Sequence, residues 1–144
     1  MTRTYHRGTQ ARKVILVVAL FAGIAAAYGF QRWRPFRVEV AGTSMRPTLE
    51  PGDWALAVRV QRVRRGDVVV VEHPERPGFE LVKRVVHVPG EEAPDGRVLM
   101  DEVWVEGDEP EGSTDSRRFG PVPIGHVHAR VRWVWWPPER VRSL

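Results

Sequence analysis

Past residue 35 the chain is a series of short apolar stretches set between turn signals, and no other feature constrains its folding as much. The stretches read FRVEV (36–40), WALAVRV (54–60), DVVVVEH (67–73), FELVKRVVHV (79–88), RVLM (97–100), VWVEG (103–107) and HVHARVRWVWW (126–136). They are rich in valine and aromatic residues, which fit a pleated, half-buried surface. Pro51-Gly52, Arg65-Gly66, Pro77-Gly78, Pro89-Gly90 and Asp95-Gly96 punctuate them as turns do. The pattern predicts a mainly β domain over residues 36–144, with no helical period of useful length, internal repeat or dividing linker. In the last stretch Val127, Ala129, Val131, Trp133 and Trp135 share one face by period two, against His126, His128, Arg130, Arg132 and Val134. Core packing is the expected role of these tryptophans, and a membrane-facing apolar patch is the competing one.

Before this domain lies VILVVALFAGIAAAYGF, residues 14–30, without a charged or strongly polar side chain. A helix of that length spans roughly 25 Å, near the lower limit for a hydrocarbon core of about 30 Å. Arg12, Lys13, Arg32 and Arg34 are placed to snorkel, with Trp33 at headgroup level. We therefore expect a basic tail over 1–13 and a single transmembrane anchor over 14–33. A cleavable signal peptide ending near Ala25, Ala26 and Ala27 is the alternative; against it, Tyr28, Gly29 and Phe30 continue the apolar run without a polar break. Basic residues are balanced at the two ends, so charge does not set the orientation.

The chain has 144 residues, a net charge of +4 and a pI near 10.3, yet its basic excess is local. Residues 1–35 hold six Arg or Lys and no acid; the remaining 16 basic and 18 acidic residues leave the domain at −2. A nucleic-acid surface is therefore not expected. With no cysteine, neither a disulfide framework nor a thiolate metal site is available.

Ser44, within GTSMRPTLEPGD (42–53), lies in ordinary turn chemistry unless it has a partner. Of the 22 basic residues only Lys13 and Lys83 are lysine, and Lys83 sits inside a predicted strand with Phe79, Leu81 and Val85 on its face. An arginine stays protonated, whereas burial can strip the proton from a lysine amine. At a pKa near 10.4 about 0.04% of an amine is neutral at pH 7, against roughly 9% at a pKa of about 8. Ser44 and Lys83 thus pair as candidate nucleophile and general base; a snorkelling lysine on a sheet edge is the competing reading of Lys83.

Four segments in order, GTSMRPTLEPGD (42–53), RRGDVVVVEHP (64–74), LVKRVVHVPGE (81–91) and GDEPEGSTDSRRFGPVP (107–123), resemble the successive boxes of type I signal peptidases. The resemblance runs from about Val38 to Arg130 and implies an antiparallel, signal-peptidase-like or LexA-like β domain behind one N-terminal membrane helix. It implies a serine endopeptidase with Ser44 acylating, Lys83 as base and the Ser44 main-chain N–H donating to the oxyanion. Ser113 would hydrogen-bond the lysine amine, with Asp108, Asp115, Ser116 and Arg117 in support. Val40, Met45 and Val82 would contact substrate, Met45 standing where the family has an apolar residue near the membrane surface. Gly42 stands where some members supply a second oxyanion hydroxyl, GDE replaces the usual GDN, and His87 replaces a glycine. Only residues 89–102 separate the KR strand from the next, so the domain that larger members insert is missing. The chain is similar to the small mitochondrial inner-membrane and bacterial members.

The implied partners are exported preproteins bound as extended peptides and the lipid membrane, with no cofactor and no metal. The implied location is the cytoplasmic membrane, with the catalytic domain outside the cytoplasm. Two narrower readings stay open: a dedicated maturation protease, such as the one for nickel superoxide dismutase that His73-Pro74 echoes, and a silent, membrane-tethered module that binds extended peptides. The two imidazoles of HVH (126–128) lack a third ligand and read as surface residues.

Overall fold

The computed structural model describes residues 17–27, 29, 34–60 and 62–144. The chain divides after residue 34 into two units. In the first, residues 17–27 are helical (α1). Among the described residues no helix is long and apolar enough to cross a membrane. Of the expected anchor, positions 14–16, 28 and 30–33 lie outside the described residues, as does the basic tail.

The second unit is a β sheet, as the turn-punctuated pattern predicts, and its strands pair antiparallel, as the family resemblance implies. Its strands are β1 (Phe36–Glu39), β2 (Trp54–Arg59), β3 (Val68–Glu72), β4 (Glu80–His87), β5 (Glu102–Glu106), β6 (Val122–Pro123), β7 (Val127–Trp136) and β8 (Arg142–Ser143). They are ordered β1-β2-β7-β3-β4-β5-β6, with β8 against β7. A one-turn helix, α2 (Ser116–Phe119), separates β5 from β6, and 3₁₀ turns occupy Ile124–His126 and Pro138–Arg140. The expected RVLM strand is absent; Val98 makes a single bridge to Glu92 instead.

β3 shows how the sheet is held. Its four valines are all buried, because β3 lies between β7 and β4 with apolar side chains on both faces. Val68 and Val70 join Val40, Met45, Leu49, Ala55, Ala57, Ala129, Val131 and Val134 on one side. Val69 and Val71 join Val85, Val103, Val105, Val122 and Val127 on the other. A fully buried valine stabilises the fold by roughly 1.5–3 kcal/mol, so this strand is a main support of both layers.

β7 departs from the even alternation read in its sequence. Leu56 pairs with Trp133 but Ala57 with Val131, so Arg132 is an extra residue; Trp54 pairs with Trp136 and Ala55 with Val134, which leaves Trp135 extra. Each such bulge reverses which side the following side chains face. Val134 is therefore buried, whereas Trp133, Trp135 and Trp136 are 44%, 37% and 48% exposed, which overturns the core-packing expectation for these tryptophans.

Candidate active site

Ser44 is carried on a loop closed at its base by main-chain bonds: Val40 N–H donates to Asp53 O at 2.9 Å and Gly52 N–H to Val40 O at 2.8 Å. Gly52 makes this return with φ of 89°, a conformation that β-carbons disfavour. Leu49 N–H donates to Met45 O at 2.8 Å, coiling the segment after the serine, and both side chains sink into the first apolar layer. Ser44 is left half-buried at the rim. Met45 is 2% exposed because the coil turns it inward, and it still lines the groove beside the serine.

Lys83 arrives from β4, where it pairs with Val69 of the all-buried β3. It is 2% exposed, and its Nζ lies 2.5 Å from Ser44 Oγ. The ammonium donates this hydrogen bond; the neutral amine accepts it from the hydroxyl. Burial pushes the amine below its ordinary range, Asp115 and Asp108 pull it upward, and Arg117 acts in the same direction as burial. Loss of solvation is the leading influence, the condition under which a lysine becomes a base.

The supporting residues form two groups. In one, Asp115 is fully buried and accepts from Ser113 Oγ at 2.6 Å, Gly107 N–H at 2.9 Å, and Arg117 Nε and Nη2 at 2.9 and 2.5 Å. Burial works against its ionisation, but the bonds from Arg117, Gly107 and Ser113 outweigh it and hold the carboxyl at about 2. Ser113 donates its hydroxyl proton to Asp115, and Ser44 Oγ is the hydrogen-bond partner of Lys83; the Ser113 oxygen keeps lone pairs for the amine, but the bond that the resemblance implies is not formed in this arrangement. Ser116 Oγ accepts from Val105 N–H at 2.9 Å and stitches α2 to β5. In the other group, Arg84 grips Asp108 through two bonds of 2.7 Å, while Thr48 Oγ1 donates to Asp108 at 2.5 Å.

Gly107, Arg84 and Thr48 were not singled out by sequence reasoning. Gly107 N–H reaches Asp115, and a β-carbon there would lie 2.4 Å from Ser113 Oγ and 2.5 Å from Ser44 O. A glycine at a strand end is a readable sign of such close approach. Arg84 and Thr48, 36 residues apart, carry no such sign. Ser44 O also accepts from Glu109 N–H at 2.9 Å, which fixes the serine's own peptide.

A groove of about 390 Å³ runs past the pair, and Val40, Met45 and Val82 line it. Both of its sides are unpaired strand edges. On β4, Phe79 O accepts from His73 and Val85 bonds to Gly66 and Asp67, so odd-numbered residues face β3. Glu80 and Val82 therefore present their N–H and C=O groups to the other edge, where β5 begins to pair only at Arg84. Opposite, β1 ends the sheet, and because Val40 bonds back across the loop base, Glu39 and Ala41 face outward. Among the described residues no cluster of three or more His, Asp or Glu is placed to hold a metal. The HVH pair is split: His126 ends a 3₁₀ turn, and His128 sits between Glu72 and Glu80 at 3.4 and 3.0 Å.

An antiparallel sheet with a buried lysine against a serine, beside a groove edged by unpaired strands, is the framework of a peptide hydrolase. The chain belongs to the family described as signal peptidase, peptidase S26, whose model matches residues 9–94 and 92–136. It is 40% identical to the mitochondrial ATP-independent inner membrane protease subunit 1b of Arabidopsis thaliana, over 71% of this chain and 70% of the relative. It is 37% identical to mitochondrial inner membrane protease subunit 2 of Mus musculus, over 73% and 69%. To subunit 1 of Homo sapiens it is 34% identical, over 69% of each chain.

Proposed function

We propose that this peptidase cleaves N-terminal signal peptides from exported preproteins at a membrane, with Ser44 as nucleophile and Lys83 as general base. One observation carries the reading: a lysine amine stripped of water stands 2.5 Å from a serine hydroxyl. A substrate segment enters the groove as an extended strand, its main chain hydrogen-bonding the open edges at Val82 and Ala41 and its alternate side chains facing Val40 and Met45. Neutral Lys83 accepts the Ser44 proton as Oγ attacks the scissile carbonyl, and the Ser44 N–H donates to the developing oxyanion. The lysine ammonium then gives that proton to the leaving amine. In its neutral form again, it draws a proton from the water that breaks the acyl-enzyme.

A membrane location is supported by the names of the relatives, which are inner membrane proteases, by the apolar run at residues 14–30, and by the exposed tryptophans of β7, a residue type favoured at bilayer interfaces. We assign the anchor to residues 14–33 and the domain to the extracytoplasmic side of the cytoplasmic membrane. The test is cleavage of a secretory precursor by detergent-solubilised protein, beside Ser44→Ala and Lys83→Ala. Defined cleavage by the parent and loss of at least about a thousandfold in both variants is expected. Undiminished cleavage by Lys83→Ala ends the proposal.

A further inference from the structure

The segment after Trp136 lies beyond the family match, which ends at residue 136. It nonetheless reaches the loop that carries Ser44. The chain turns through Pro138–Arg140 and returns as β8, pairing Ser143 with Trp133 and Arg142 with Val134, and Leu144 N–H donates to Arg132 O at 2.9 Å. Held in this way along β7, the tail presents two guanidinium groups to the loop. Arg140 grips Asp53 with Nε and Nη2 at 2.9 and 3.0 Å. Asp53 is 1% exposed; it also accepts from Glu50 N–H at 2.9 Å, and its carbonyl closes the loop base with Val40. Arg142 Nη2 donates to the carbonyl of Thr48, and at 3.4 Å to that of Pro47.

These contacts come from residues other than those that make the loop's other support. Ser44 O is held by Glu109, and Thr48 Oγ1 by Asp108 and Arg84, all reached from β4 and the segment after β5. The carbonyl of Thr48 is held from β8 and the carboxylate of Asp53 from the 3₁₀ turn before it. Thr48 is thus clasped through its side chain by one set of residues and through its main chain by another. A loop fastened by one set alone keeps its fold but loses the placement of Ser44 Oγ against Lys83, and a misplacement of about 1 Å in a reacting group lowers rates by about a hundredfold.

We infer that Arg140 and Arg142 are positioning residues: the C-terminal tail clamps the nucleophile loop and sets the register between Ser44 and Lys83. The inference rests on the peptidase reading above and extends it to a part of the chain that the family match does not include.

The experiment uses the full chain in detergent and compares the parent with Arg142→Ala, Arg142→Lys and Arg140→Lys on a cleavable precursor peptide. Arg142 is exposed, so its truncation leaves the fold intact; a thermal melt within about 3 °C of the parent verifies this. We expect Arg142→Ala to lower kcat by about tenfold to a hundredfold with KM within about twofold, the signature of lost positioning rather than lost binding. Arg142→Lys should recover most of the rate, because an ammonium still donates to the Thr48 carbonyl, while Arg140→Lys should not, since the paired bond to Asp53 needs the planar fork. Hydrogen exchange should quicken at the Leu49, Glu50 and Gly52 amides in the impaired variants and stay unchanged in β4. An active parent with an unchanged kcat in Arg142→Ala overturns the clamp alone; a parent that cleaves nothing overturns the peptidase reading itself.

Discussion

Lys83 is placed where an arginine could not serve and where a protonated amine is disfavoured. Its amine is lowered chiefly by burial, so the catalytic rate should rise with pH along a single limb whose midpoint lies below the ordinary lysine value. A pH–rate profile that keeps rising to pH 10.5 would refute the assignment. The same burial has a sign for stability. With the folded pKa depressed, the unfolded chain binds the proton more tightly, so the fold is penalised increasingly as pH falls from the unfolded value to the folded one and fully below it. Lys83→Met keeps the volume and removes the charge; it should abolish cleavage while raising Tm at pH 7 by about 2–6 °C, as read by calorimetry. Lys83→Arg should be inactive as well, because its guanidinium remains charged. That this lysine is chemically distinctive was legible from the near-total use of arginine elsewhere. That Ser113 donates to Asp115 was not, since positions 113–116 all carry hydroxyl or carboxyl groups, which allow several pairings, and only their packing selects one.

At the level of elements, the site depends on how closely β5 passes the loop that carries Ser44. Gly107 ends that strand with no room for a β-carbon, the obstructing atoms being Ser113 Oγ and the Ser44 carbonyl. Gly107→Ala therefore forces Ser113 and the Ser44 peptide apart; we expect about 1–3 kcal/mol of destabilisation in a denaturant titration and at least about a hundredfold loss of kcat. A glycine contributing only chain flexibility would lose neither. The strands themselves were readable: six of the seven expected stretches form strands, because valine-rich runs between glycine turns leave a chain few alternatives. RVLM failed because one bridge to Glu92 is all the pairing available to it. The tryptophan side of β7 was misread because bulges at Arg132 and Trp135 depend on the register with β2, a contact between segments about 80 residues apart.

Across the molecule, buried or half-buried carboxylates pair with arginine, two of them across distant segments and the third, Asp115 with Arg117, within one turn. Asp53 joins Arg140, Asp108 joins Arg84 and Asp115 joins Arg117. In all three, burial opposes ionisation but the bonds from arginine and from neighbouring donors prevail and lower the pKa. A carboxyl depressed in the folded state contributes its stability fully above the unfolded value near 3.9 and loses it as pH falls toward the folded value. Stability should thus be level from pH 7 to about pH 5 and decline between about pH 4 and pH 2, the lower limit set by Asp115 at about 2. Urea titrations across that range would read it, and Asp115→Asn should flatten the decline. A domain equally stable at pH 2 and pH 7 would show that these pairs do not support the fold.

The amino-acid order alone was enough to establish a turn-rich β domain, a separate apolar segment ahead of it, and a serine and a lysine worth pairing across 39 positions. These follow from local periodicity, turn chemistry and residue type, none of which depends on where distant segments meet. Folding settled the rest. It placed the amine 2.5 Å from the hydroxyl, gave Ser113 to Asp115, turned the tryptophans outward and brought the tail against the nucleophile loop. Each of these is a contact between residues chosen by packing and register, and such choices exist only once the sheet has closed its ladders around them.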